Sequence, residues 1–307
     1  EISACLVGSE MCIRDSFLTV VLERAFNMRD GFGREIDYMR ISVIDSCNLN
    51  CYYCNPCDNN EHCHALNILS VKEVLCIVRA ATRLGIKHFR LTGGEPLLHP
   101  QLDEMVLQIK KIPGVSSVSL TTNAVLLAQH AKWLKEAGID SINVSLDTID
   151  ASEYERITKK PLLEEVKHGI NAAIECGIRV KINVVLTPQT DVVALTRYVA
   201  KKGTDIRFIE MMPVGEGHTN GVEPYKKVIG TLSKLYGEPC RINTEKTKEI
   251  NSGNDKRKIP DNGPAEYYIF PELGIRVGLI QAIHGKFCAT CNRIRVTADG
   301  RLMPCLG

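Results

Sequence analysis

The run Arg40-Ile-Ser-Val-Ile-Asp-Ser-Cys47-Asn-Leu-Asn-Cys51-Tyr-Tyr-Cys54 begins as a short apolar strand and ends in a loop bearing three cysteines spaced C-x3-C-x2-C. Three thiolates are thereby gathered at the carboxyl end of a strand. A cubane of four irons and four sulfides normally takes four cysteine ligands, so a loop with three leaves one iron open to a ligand that is not protein. Structural zinc prefers paired C-x2-C or Cys/His knuckles, which the x3 gap fits poorly. An electron-carrying ferredoxin would place a fourth ligand nearby; Cys57 and Cys63 are close but do not restore its spacing.

Outward from this loop, the pattern is a strand followed by a helix, repeated. The spacing predicts a strand at 39–44 and, behind the N-cap candidate Ser70, a helix over 71–84 stopped by Gly85. Strands are expected at 88–91, 115–120, 141–146, 179–186 and 205–209, with helices at 101–111, 126–137, 163–176 and 192–202. Six such units imply a parallel α/β sheet with right-handed crossovers. Polar signals such as Gly93-Gly94-Glu95-Pro96 follow strand after strand rather than gathering at one switch point. That distribution favours a partial, TIM-like (βα)6 barrel whose site lies at the carboxyl face. The glycines let backbone approach a ligand closely, and Glu95 is placed to accept from an amine.

The rhythm breaks near Glu216. A polar loop is expected over 250–263 and a hairpin over 265–278. Cys288, Cys291 and Cys305 then form a second group of three, which again leaves one iron of a cubane uncoordinated, with zinc as the alternative. Four basic residues, Arg40, Arg90, Lys181 and Arg207, fall within strands where burial is expected. One alone would be a salt-bridged or snorkelling residue, whereas four together suit a polyanionic ligand.

The chain has 307 residues, 44% of them hydrophobic, and a formal charge of +2. That is enough for a barrel-sized core, and the balanced charge gives no general nucleic-acid or membrane surface. Six of the thirteen cysteines fall in the two metal-type groups, a pattern of a reducing cytoplasm rather than of disulfides. No apolar run approaches the roughly 20 residues of a membrane span. Residues 1–16 read as a non-native or disordered leader, 17–215 as the barrel, and 216–307 as a region carrying the second cysteine group.

The three-cysteine loop resembles the signature of radical S-adenosylmethionine enzymes, and the flanking residues are most similar to the GTP 3',8-cyclase (MoaA) family of molybdenum cofactor biosynthesis. The resemblance covers about residue 30 to the end. It implies two 4Fe-4S clusters, on Cys47, Cys51 and Cys54 and on Cys288, Cys291 and Cys305, with S-adenosylmethionine on the open iron of the first. It implies cofactor contacts at Tyr53 (adenine), Gly94, Ser145 and Met212. GTP contacts are implied at Arg40, Arg90, Thr121, Lys181, Arg293, Ile294 and Arg295, with Arg207 joining them and the guanine on the second cluster. Arg293 and Arg295, with the first three cysteines, are the residues implied in catalysis.

The implied reaction starts with a 5'-deoxyadenosyl radical that takes hydrogen from ribose C3', after which the sugar closes on C8 to give (8S)-3',8-cyclo-7,8-dihydroguanosine 5'-triphosphate. The implied partners are a reductant such as flavodoxin or ferredoxin and a downstream cyclic pyranopterin monophosphate synthase; a homodimer is compatible with the family. Ser46, Asn50 and Asn55 depart from the family pattern, and the Gly-Gly tail that follows the last cysteine in the family is not in this sequence, from which weak turnover is expected. The rival readings are a peptide-modifying radical enzyme with an auxiliary cluster and a non-enzymatic iron-sulfur electron carrier.

Overall fold

The computed structural model describes residues 28–54, 67–212, 222–242 and 263–305. The leader of residues 1–16, Cys57, Cys63, Asn55 and all but the end of the 250–263 loop lie outside these. Six strands follow one another in parallel register: β1 Tyr38–Ser42, β2 His88–Thr92, β3 Ser117–Thr122, β4 Ser141–Ser145, β5 Val180–Leu186 and β6 Asp205–Glu210. Between them run α1 Val71–Arg83, α2 Leu102–Lys110, α3 Leu127–Glu136, α4 Ala151–Thr158, α5 Leu163–Glu175 and α6 Val192–Lys201. The expected six-unit partial barrel is present, with boundaries within about two residues of those read from the sequence.

Local chemistry sets these elements. Ser70 and Glu73 form a reciprocal capping box, the Ser70 hydroxyl accepting from Glu73 N and the Glu73 carboxylate from Ser70 N. Gly85 follows α1 at φ +91°, which L side chains rarely adopt. Helix α4, not anticipated, is capped by Asp150, whose carboxylate accepts from Glu153 N at 2.8 Å; its eight residues lie inside what reads as a long loop.

The period-2 pleat sorts the strands into two faces. Ile41, Phe89, Leu91, Leu120, Val144, Ile182 and Phe208 point to the helices and are fully or almost fully buried. The intervening positions, among them Arg40, Arg90, Ser119, Asn143, Lys181 and Arg207, share the other, concave face, which is therefore polar.

The last third of the chain extends this sheet at both ends, a layout the sequence did not reveal. On the β6 side, β9 (Arg276–Ile280) pairs in parallel with β6, followed by β8 (Glu266–Ile269) and β7 (Cys240–Ile242). On the other side, β10 (Arg293–Val296) pairs in parallel with β1, and β11 (Leu302–Met303) turns back on β10. The order is β11-β10-β1-β2-β3-β4-β5-β6-β9-β8-β7. The β8–β9 hairpin matches expectation.

Asp205 pins the added strands to β6. It is 6% exposed and accepts from Arg276 N (3.2 Å) and Nε (3.0 Å) besides pairing with its Nη2. Removing one partner of a buried pair leaves the other charge stranded. Arg276→Ala is expected to cost about 3 kcal/mol in denaturant unfolding; a change within about 0.5 kcal/mol, the range of a neutral surface substitution, would contradict this account.

Candidate active site

The first cysteine loop is clamped from two sides. Gly94 N donates to Ile44 O and Glu95 N to Ser46 O, both at 2.8 Å. From the other side Asn50 N donates to Thr158 O (3.0 Å) and Tyr52 N to Ile157 O (3.1 Å), so the end of α4 closes on the loop. A Cβ on Gly94 would overlap the carbonyl oxygens of Asp45 and Ser46, and one on Gly93 that of Ile44. The glycines serve close approach, as expected, but what they approach is the cysteine loop itself.

Glu95 also has a different role from the one expected. It is 1% exposed, and its oxygens accept from Leu97 N (3.0 Å), Thr122 Oγ1 (2.7 Å) and Asn123 N (2.7 Å). The carboxylate ties β2 to β3 rather than offering itself to an amine. Burial nonetheless pushes its pKa up, against the pull of these donors.

Cys47 and Cys54 are exposed and Cys51 half-buried, all with free thiols. Enough protein surrounds the sulfurs that desolvation pushes all three thiols up, Cys51 to about 12. Leu49 N (3.5 Å) and Asn123 Nδ2 (3.8 Å) point at Cys47 Sγ, but these weak donors do not offset the burial. Thiolates here require a cationic centre, and an iron-sulfur cluster suits that donor set. Among the described residues, no three Cys, His, Asp or Glu side chains converge on a point one metal ion could occupy, as a zinc tetrahedron would require. In a cubane each cysteine reaches its own corner instead.

Beside the loop lies a pocket lined by Cys51, Tyr53, Asn123, Ser145, Asp147 and Tyr154, among others. The Tyr53 hydroxyl donates to Asp147 Oδ2, and Asp147 Oδ1 accepts from Val185 N at 2.7 Å. Burial raises Asp147 to about 6. Tyr53 and Ser145 thus line one pocket. Gly94 and Met212 do not line it; Met212 follows β6 half-buried. Asp147, two residues past β4, was missed, although its position after a strand end is the one signal that could have flagged it.

Across the concave face the basic residues fall into register. Arg295 on β10 pairs with Arg40 on β1, and Arg40 with Arg90 on β2, so three guanidiniums occupy neighbouring strands. One pair below, Arg293 stands opposite Tyr38, and the cations of Arg90 and Arg293 both lie over the Tyr38 ring. Burial first, then the charges of Arg90, Arg293 and Arg295, push Arg40 down to about 9, and its Nε is buried with no hydrogen-bond partner among the described residues. Farther round, Thr121, Asn143 and Lys181 align on β3, β4 and β5, and Arg207 Nε donates to Asn183 Oδ1 at 2.9 Å. Ile294 differs. It alternates with Arg293 and Arg295, and its side chain packs on the apolar core, so it can face the concave side only through its backbone.

The second cysteine group is held by the start and middle of the chain. Cys288 lies within a 3-10 turn, Phe287–Thr290, and Cys291 is its C-cap; Arg34 Nη1 donates to Cys288 O at 2.7 Å, and Asn292 Nδ2 donates to Asp37 Oδ1 at 2.5 Å. Buried Glu210, at the end of β6, accepts from Ile283 N (2.8 Å), His284 N (3.1 Å) and His284 Nδ1, tethering the approach to the turn. The thirteen residues before Cys305 are the β10–β11 hairpin. Arg295 opposes Met303, and continuing that register brings Cys305 opposite Arg293, two residues from Cys291.

Comparison with known proteins agrees with this geometry. Residues 41–195 match the model of the radical SAM superfamily and residues 204–307 that of Molybdenum Cofactor Synthesis C. A GTP 3',8-cyclase of Clostridium perfringens (strain SM101 / Type A) is 37% identical over 91% of this chain and 83% of its own. One from Pelotomaculum thermopropionicum is 38% identical over 91% and 84%. Among solved structures, Streptococcus suis SuiB bound to S-adenosylmethionine superposes with a TM-score of 0.61 at 16% identity, covering 88% of this chain and 60% of that one. Native anSMEcpe with bound AdoMet gives 0.57 at 18% identity, over 87% and 74%. These two likenesses speak to fold alone. With a radical SAM barrel, a C-terminal match to molybdenum cofactor synthesis and relatives at this identity, the chain belongs to the GTP 3',8-cyclase family of the radical SAM superfamily.

Proposed function

We propose that this protein is an S-adenosylmethionine-dependent enzyme with two 4Fe-4S clusters that converts GTP to (8S)-3',8-cyclo-7,8-dihydroguanosine 5'-triphosphate. The observation that carries the reading is the in-register row Arg295, Arg40 and Arg90 on a concave face that has a three-cysteine loop at its carboxyl rim and a second group of three cysteines before β10 and after β11. Clustered, partly desolvated guanidiniums raise the free energy of the empty site and are relieved by a polyanion, for which a triphosphate is well matched.

In this reading residues 17–215 form the cofactor half and residues 216–307 carry the substrate cluster. Cys47, Cys51 and Cys54 hold the first cluster, which with bound S-adenosylmethionine supplies the radical that initiates ring closure. Tyr53, braced by Asp147, and Ser145 shape the adenosine side of the pocket, with Gly94 holding the loop and Met212 at the rim. Cys288, Cys291 and Cys305 hold the second cluster toward the guanine. Arg40, Arg90, Arg293 and Arg295, with Lys181, Arg207 and Thr121, orient the nucleotide, and Ile294 contributes backbone only. The polar concave face positions the nucleotide relative to the cofactor. A low-potential donor such as flavodoxin or ferredoxin, a downstream cyclic pyranopterin monophosphate synthase, a cytoplasmic location and a homodimer complete the proposal. No helix among the described residues is long and apolar enough to cross a membrane.

The test is anaerobic reconstitution, reduction with dithionite, and measurement of 5'-deoxyadenosine and nucleotide products with GTP or ATP. GTP-dependent formation of the cyclised product supports the reading; S-adenosylmethionine cleavage with no GTP conversion would replace it with the peptide-modifying alternative. Arg40→Ala should weaken GTP binding about tenfold or more, the scale of a charge-assisted contact, and make binding less salt-sensitive. Unchanged affinity and salt dependence would remove Arg40 from the nucleotide site.

A further inference from the structure

Asn143 is 1% exposed at the middle of β4, and neither Oδ1 nor Nδ2 has a hydrogen-bond partner among the described residues. An unsatisfied buried amide costs about 1–3 kcal/mol, so a side chain open at both ends is suited to a ligand offering both a donor and an acceptor. Its neighbours in register are Thr121 on β3 and Lys181 on β5. Ser145, two residues on and facing the same way, lines the pocket with Cys51 and Tyr53. Arg207, paired across from Asn183, is 4% exposed, and its Nη2 is also buried without a partner among the described residues.

The chemistry of these groups divides the ligand. Lys181 and Arg207 are cations suited to phosphate oxygens, which the Asn143 carbonyl oxygen would repel. An amide instead matches neighbouring hydroxyls, Oδ1 accepting from one and Nδ2 donating to the other. The edge of guanine would match too, but the second cysteine group lies beside β10, four strands away from β4. We propose that Asn143 binds the ribose hydroxyls of the nucleotide, holding the sugar one side-chain layer below the pocket at the first cysteine loop. This rests on the nucleotide reading given above.

The reconstituted holoprotein and its Asn143→Ala variant would be titrated with GTP, 2'-deoxy-GTP and 3'-deoxy-GTP. In the wild type, loss of at least one hydroxyl should weaken binding about tenfold. In the variant GTP itself should bind about tenfold more weakly, and the same deoxy analogue no more weakly than GTP. The proposal is overturned if the wild type binds all three nucleotides alike, a result that needs no variant to fold, or if the hydroxyl penalty persists undiminished in Asn143→Ala. A wild type that binds no GTP at all sinks the nucleotide reading and this inference together; tight GTP binding without hydroxyl discrimination sinks only the role of Asn143.

Discussion

Replacing Cys288, Cys291 and Cys305 together by alanine will cut the iron of the reconstituted protein from about eight to about four per chain, with sulfide falling in step. GTP affinity should fall with it. The reason is architectural as well as chemical. The 3-10 turn with Cys288 and Cys291 runs directly into β10, whose Arg293 and Arg295 stand on the concave face, and Cys305 returns along β11. A cluster bridging the turn and the returning strand therefore also fixes the strand that carries two of the cations. S-adenosylmethionine cleavage under dithionite should survive, because the first loop is clamped by different elements, the Gly93-Gly94-Glu95 segment and the end of α4. A variant retaining about eight irons, or a wild type holding only about four, would show that this group does not bind a second cubane.

Gly94→Ala is expected to abolish assembly of the first cluster. The added methyl would be driven into the carbonyl oxygens of Asp45 and Ser46, which are backbone atoms with no rotamer to yield. Either the loop carrying Cys47 moves outward or the hydrogen bonds from Gly94 N to Ile44 O and from Glu95 N to Ser46 O break. Overpacking of this kind costs about 1–3 kcal/mol and sometimes more. Because the loop sits at the sheet rim, the cost should appear mainly as lost iron at the first site rather than as global unfolding. The measurement is iron content and S-adenosylmethionine cleavage beside a denaturant melt. About four irons remaining, no cleavage and a midpoint close to wild type is the expected set; full cleavage activity would mean that the loop tolerates the displacement.

Much of this was legible in the chain before folding. The period-2 alternation, glycine stops and capping residues fix strands and helices through local sterics and hydrogen bonds, which act within a few residues. The six parallel units followed from them, as did the two cysteine groups, since ligand spacing within a loop is itself local. Helix α4 escaped because its short run lies between a strand and a helix and gives only two turns of periodicity.

Other features depended on which distant segments meet, and short-range patterns do not encode that. That β10 docks on β1, bringing Arg295 beside Arg40, is a pairing of residues some 250 positions apart, decided by which sheet edge remained open. Glu95 reads as a ligand-facing carboxylate until Thr122 and Asn123 are seen to occupy it, and Ile294 reads as part of a binding segment until the pleat turns its side chain to the core. Asn143 is an ordinary strand residue in the sequence. Only the tertiary structure shows it buried with both polar atoms unpartnered among the described residues, because satisfaction of a buried group depends on neighbours contributed by the whole fold.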